Sequence, residues 1–181
     1  MDETPPIVAG CCPKCGKKVI KTCKDYKCEG AMPTDKSCDF SISSLICNRR
    51  MSDNEISALL RGETLLLDGF SKNDGKIFSS TLHIDQSGQI VVNSKIAVCP
   101  RCGGAVYVGT KAFNCQNQMA SEKCPFVVWR NYSGHELSLA DIHGLCANGV
   151  TPDEVTMLTE DGKQYHKRLM LSPEKDKIIK I

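Results

Sequence analysis

Eight cysteines constrain this chain more than anything else in it. Cys12, Cys15 and Cys28 recur as Cys99, Cys102 and Cys115 at a constant offset of 87. A fourth follows each trio, Cys38 in the first copy and Cys124 in the second, one residue closer. Taken alone, the first copy is ambiguous, because Cys12, Cys15, Cys23 and Cys28 would make an equally compact set. The second copy decides, since Thr110 stands where Cys23 stands while Cys115 and Cys124 persist. A pattern found twice at one spacing marks an internal repeat and a shared constraint.

The chain holds 12 cysteines in 181 residues, and "MDETPPIVAG" has neither the basic start nor the apolar run of a secretory signal. No apolar stretch approaches the ~18 residues of a membrane span. A cytoplasmic, metal-binding chain is therefore expected rather than a disulfide framework. Four thiolates in tetrahedral array suit Zn2+, and a site with no ligand position left for water is structural. Two such sites are expected, one from Cys12, Cys15, Cys28 and Cys38, the other from Cys99, Cys102, Cys115 and Cys124. Pro13 and Pro100 preset each C-x2-C turn, and Gly16 and Gly103 supply the positive φ it needs. Cys11, Cys23, Cys47 and Cys146 read as spare thiols or small core residues, with Cys11 or Cys23 the alternative ligands of the first site. His83, His135, His143 and His166 do not recur between copies and are not read as ligands.

The repetition runs past the cysteines. "SDNEISALLRG" lies over "SLADIHGLCAN", "NDGKIFSSTLHI" over "EDGKQYHKRLML" and "QIVVN" over "KIIKI". Ser52 with Glu55, and Ser138 with Asp141, predict capped helix starts. Ile56, Leu59 and Leu60, matched by Ile142, Leu145 and Cys146, give each helix an apolar face, and Gly62 or Asn148–Gly149 ends it. "TLLLDGF", "KIFSSTLHI" and "QIVVN" then read as a three-stranded meander with turns at "KNDG" and "DQSG". In the second copy Pro152 weakens the first of these strands. The expected fold class is α+β, as two tandem repeats, each a four-cysteine zinc ribbon followed by one helix and a small antiparallel β-meander. The expected boundaries are a tail at 1–10, repeat 1 at 11–94 and a more divergent repeat 2 at 95–181. The junction "NSKIAV" reads as either strand or hinge.

The first unit, "CPKCG…C…CDFSI…SDNEISALLRGETLLLDGFSKNDGKIFSSTLHID", resembles the C-terminal repeat of bacterial type IA DNA topoisomerases, the topoisomerase III-like group especially. The second keeps the cysteines and helix but departs at the first strand. The resemblance implies an accessory module that binds DNA, single-stranded DNA in particular. It also implies no catalysis, because neither the acidic metal-binding domain nor the tyrosine clamp of that family is present, and Tyr26, Tyr107, Tyr132 and Tyr165 have no activating neighbours in sequence. Such a module is either the tail of a larger enzyme or a free-standing monomer serving a topoisomerase or another DNA-processing protein.

Local charge agrees. From Cys11 to Arg50 nine Lys or Arg face four acids, although the chain's formal charge is only +2 and two four-thiolate zinc sites would bring it to about −2. Lys14 matches Arg101 and Lys24 matches Lys111, giving recurrent cations for phosphate contacts. Tyr26 and Phe113, each two residues before the third cysteine, are candidates for stacking on bases or for packing against the metal site. Trp129, with Arg130 beside it, replaces Ser43 and is a stacking candidate that the ribbon itself does not need. Phe40 and Phe126 read as core. The competing reading is a zinc-stabilised protein–protein interaction module, docking through the helix and meander.

Overall fold

The computed structural model describes residues 6–120 and 123–181. The described residues are mostly β with two helices, and the chain forms two compact units, 1–93 and 94–181. No helix among the described residues is long and apolar enough to cross a membrane.

Unit 1 opens with four short strands, β1 (Val8–Cys11), β2 (Lys18–Lys21), β3 (Asp25–Cys28) and β4 (Ser41–Ser43), paired antiparallel in that order. Their alternation sets one apolar face: Val19, Tyr26, Cys28 and Ile42 are buried, while Lys18, Ser41 and Ser43 are exposed. The expected tail at 1–10 is therefore shorter, because Val8–Gly10 already belong to the sheet; residues 1–5 of that tail lie outside the described residues. A small hairpin comes next, β5 (Leu45–Ile46) and β6 (Arg49–Arg50), turning on Cys47 and Asn48, both at positive φ (45° and 59°). Two left-handed residues in a two-residue loop match the strand twist.

Helix α1 (Asp53–Leu60) starts with the anticipated capping box between Ser52 and Glu55, and Gly62 takes φ 85° just after its end. Strands β7 (Leu65–Ser71), β8 (Ile77–Ile84) and β9 (Ile90–Asn93) form the anticipated meander, with a bulge between Leu67 and Phe70 where Gly69 takes φ 82°. Val19, Tyr26 and Ile42 of the first sheet, with Phe40 just before β4, meet Ile56 and Leu59 of α1 and Phe70 and Leu82 of the meander in one core. Neither sheet nor helix could bury its apolar face alone at this size.

Unit 2 has the same order: β10 (Lys95–Val98), β11 (Ala105–Val108), β12 (Ala112–Cys115) and β13 (Val127–Trp129) in a four-stranded sheet, then the hairpin β14 (Asn131–Tyr132) and β15 (His135–Glu136), then α2 (Leu139–Asn148). The "NSKIAV" junction thus holds the first strand of this sheet. Helix α2 has its own capping box, Ser138 with Asp141, and closes on Gly149 at φ 77°.

Beyond α2 the chain departs from expectation. Instead of a meander there are two separate hairpins, β16 (Val155–Leu158) with β17 (Gln164–Lys167), and β18 (Leu169–Leu171) with β19 (Ile178–Lys180). The segment matching β8 is split at Arg168. Pro152 cannot donate to a ladder, and the Arg168 guanidinium instead reaches the carbonyls of Thr151 (3.1 and 2.7 Å) and Pro152 (2.7 Å). The backbone beside it still pairs in part, Thr151 N donating to Leu169 O (2.8 Å) and Leu171 N to Gly149 O (2.7 Å).

Candidate metal centres and nucleic-acid face

Each C-x2-C segment is a tight turn. Cys12 N donates to Lys17 O (2.7 Å) and Gly16 N to Cys12 O (2.9 Å); Cys99 and Gly103 repeat both bonds at the same lengths, onto Gly104 O and Cys99 O. Gly16 and Gly103 take φ 76° and 73°, the conformation anticipated for them. The third cysteine ends an inner strand and caps a short 3-10 turn: Gly30 N donates to Cys28 Sγ (3.3 Å), and Asn117 N to Cys115 Sγ (3.4 Å). In unit 2 the Asn117 side-chain amide also reaches Cys102 Sγ (3.5 Å).

Sulfur atoms of Cys12, Cys15, Cys28 and Cys38 lie within 4.8 Å of one another, as do those of Cys99, Cys102, Cys115 and Cys124. The Cys12–Cys38 and Cys99–Cys124 separations are 3.8 Å, and the Cys15–Cys28 and Cys102–Cys115 separations 3.4 Å. Four sulfurs bound at ~2.3 Å around one tetrahedral centre stand about 3.8 Å apart, so both clusters fit a single metal ion. Electrostatics point the same way. The Lys17 and Gly104 amides favour thiolate at Cys15 and Cys102, the latter brought down to about 6. Burial pushes the Cys28 and Cys115 thiols up to about 12 and raises Cys12 and Cys124. Four crowded thiolates, some of them buried, need a cation in their midst to be charged together. Neither Cys11 nor Cys23 joins the first cluster, and both are exposed.

The cations separate into two kinds. Lys14 is tied to Asp39 (2.8 Å) and Arg101 donates to the Glu174 carbonyl, so each is engaged within its own unit. Lys24 and Lys111 are exposed on the β2–β3 and β11–β12 turns. Arg130 is corrected outright: only 6% exposed, it pairs with Glu136 at 3.0 Å and donates to Gly109 O, and serves as a buried strut.

Of the aromatic candidates, only Trp129 lies open, 59% exposed on the edge strand β13. Tyr26 and Phe113 are 1% and 0% exposed, so the stacking expectation fails for both and the packing alternative holds. Their place two residues before the buried third cysteine puts them on the same inner face of the strand. Phe40 and Phe126 are core as expected. One residue was missed: Tyr107, 41% exposed and directly opposite Asn114 on the outer face of the unit 2 sheet. Its signal was present in the alternation of "AVYV", where the polar-tipped ring takes the outward position.

Residues 37–93 match the family described as the C-terminal repeat of topoisomerase. The matched stretch runs from Cys38 through α1 to the end of the β7–β9 sheet. Over 126 residues, 66% of its length, the chain is 26% identical to DNA topoisomerase 1 of Bacillus anthracis, and it spans 14% of that protein. No solved structure matches the chain. Residues 37–93 are thus similar to the C-terminal repeat of topoisomerase.

Proposed function

We propose that the chain is a non-catalytic nucleic-acid-binding module of two homologous units, each stabilised by one Zn2+, that takes single-stranded DNA beside a topoisomerase or a similar DNA-processing protein. Zinc is the ion of choice for four thiolates with no further ligand, and it would contribute folding energy to units whose cores are small. The observation that carries the binding reading is that an exposed Trp129 and an exposed Lys111 border the same hollow, Trp129 standing opposite Ala112, the residue after Lys111. A flat ring next to a cation is what a single strand uses, one for a base and the other for a phosphate. Lys24 supplies a corresponding cation in unit 1. The chain acts as a cytoplasmic monomer in this reading.

The test is fluorescence anisotropy of a labelled strand of about 20 nucleotides against the zinc-loaded protein, at low and physiological salt, beside the matching duplex. Preference for the single strand with a steep salt dependence is expected. Binding to neither would favour protein docking instead. One observation gives that reading substance: Ile77 and Leu45 are exposed in unit 1, Leu45 at the rim of a 420 Å³ hollow that also includes Cys47 and Phe78.

A further inference from the structure

Each C-x2-C knuckle leans on the last turn of its own unit, and the two contacts differ in strength. Gly88 N donates to Asp85 O (3.0 Å) in the β8–β9 turn, and Lys175 N to Ser172 O (2.8 Å) in the β18–β19 turn. Both residues take positive φ, 78° and 55°, so Lys175 holds the place of Gly88. In unit 1 the contact with the knuckle is apolar and slight. A Cβ on Gly88 would meet Lys14 Cε at 2.7 Å and Cγ at 3.0 Å, so the lysine stem lies flat on a glycine. The Lys14 ammonium turns away to Asp39, and Lys17 reaches Ser37 Oγ (2.8 Å) and Asp35. Those partners flank Cys38, inside the ribbon itself. The β8–β9 turn needs no further support, because it joins strands of a three-stranded sheet in which β8 runs for eight residues.

In unit 2 the contact is hydrogen-bonded in both directions. Arg101 donates to Glu174 O, and Lys175 Nζ donates to Pro100 O (2.8 Å), across 73 and 75 residues of chain. Gly104 stands in place of Lys17 and has no side chain to repeat its tie. The turn so held joins β18 and β19, three residues each in a two-stranded sheet, an arrangement that is marginal by itself. Arg168 and Ile181 exchange backbone bonds (3.2 and 3.0 Å) at the open end of this hairpin. Ser172 Oγ holds Asp176 (2.8 Å) within the turn, and the knuckle ties the turn to the ribbon. Pro100 and Lys175 also wall a hollow of 370 Å³ with Cys146, Gly149, Met170 and Pro173.

We propose that the unit 2 metal centre is a latch on the β18–β19 hairpin. Metal held by Cys99, Cys102, Cys115 and Cys124 fixes Pro100 and Arg101 where they clasp the turn 172–177, and its loss frees that turn and opens the hollow beside α2. Pro100 and Arg101 lie between two ligands three residues apart, so their positions follow the ligands directly. The unit 1 centre, tied within its own ribbon, controls no such distant element. The two centres are thus equal in ligands and unequal in reach. Coupling of this kind is reciprocal: a turn that is ordered by the metal must in return tighten the metal. The inference rests on the zinc reading above and is independent of nucleic-acid binding.

Hydrogen exchange of the full-length zinc-loaded protein, followed by mass spectrometry, reads the turn, and equilibrium competition with a chromogenic chelator reads the metal. Arg101→Met combined with Lys175→Met removes both hydrogen bonds and keeps the side-chain stems. The double variant is expected to hold two zinc ions and to exchange faster over 172–177. It should bind one ion about 5- to 150-fold more weakly and the other as before. Lys14→Met, the corresponding change in unit 1, should leave exchange over 85–89 unaltered. Unaltered exchange over 172–177, or faster exchange with both zinc affinities unchanged, overturns the latch while leaving structural zinc intact. Equal acceleration over 85–89 in Lys14→Met overturns the asymmetry between the units. Absence of zinc from the wild-type protein overturns both the latch and the zinc reading.

Discussion

The Tyr26 hydroxyl donates to Asp53 Oδ1, joining the strand that carries Cys28 to the first residue of α1. Lys21 closes the same carboxylate from the other side, at 2.7 and 2.9 Å. The ring is buried in the core and its oxygen spans two elements, so this aromatic fastens the ribbon to the helix. Tyr26→Phe should cost unit 1 about 1 kcal/mol, the net worth of one hydrogen bond, seen as an earlier urea midpoint with an unchanged slope. Affinity for single-stranded DNA should stay the same, since no face of the ring is available to a base. A large affinity loss in a folded variant would return Tyr26 to the binding surface.

Removal of metal should unfold the ribbons one at a time. Elemental analysis is expected to find two zinc ions per chain, and Cys28→Ser and Cys115→Ser to lose one each. Chelation should abolish the near-ultraviolet circular dichroism of the ribbons, because the sulfurs converge from separate segments that small cores hold only weakly. One metal retained in the double variant, or spectra unmoved by chelator, would count against structural zinc.

Lys24 and Lys14 should behave differently although both recur in the second unit. Lys24→Ala is expected to reduce the dependence of log affinity on log salt by about one unit, as the loss of one phosphate contact. Lys14→Ala should leave that slope alone, because its ammonium is already committed to Asp39. Equal effects of the two variants would show that position on the sheet does not decide which cation meets DNA.

Acid should weaken unit 1 through Glu55. Arg49 donates to it from both terminal nitrogens, at 3.0 and 2.6 Å, and with the Ser52 amide holds the carboxyl down to about 2 from an ordinary 4.5. The folded value is depressed, so the stabilisation is complete above pH 4.5 and fades as the pH falls toward 2. Glu55→Gln should lower stability at neutral pH by about 1.5–3 kcal/mol and flatten the acid limb of the stability curve. In unit 2 the same place is taken by His135 and Asp141, 3.2 Å apart.

Local features were legible in the sequence because short-range stereochemistry decides them. The cysteine spacing, the positive-φ glycines of the knuckles and both capping boxes depend on residues within a few positions of one another, and a second copy removed the ambiguity over Cys23. Alternation also marked the unit 1 meander strands. Tertiary packing decided the rest. Whether Tyr26 and Phe113 face bases or core depends on which side of the sheet meets the helix, and Trp129, on the opposite side of an edge strand, stays open. Arg130 looked like a surface cation beside that ring until Glu136 and the Gly109 carbonyl enclosed it. At the split in unit 2 the Arg168 guanidinium reaches two carbonyls 16 and 17 residues away in sequence, and its backbone pairs with Ile181, contacts that no local pattern encodes. The cysteines thus announced the metal centres, whereas the surface around them was set by contacts between segments distant in the chain.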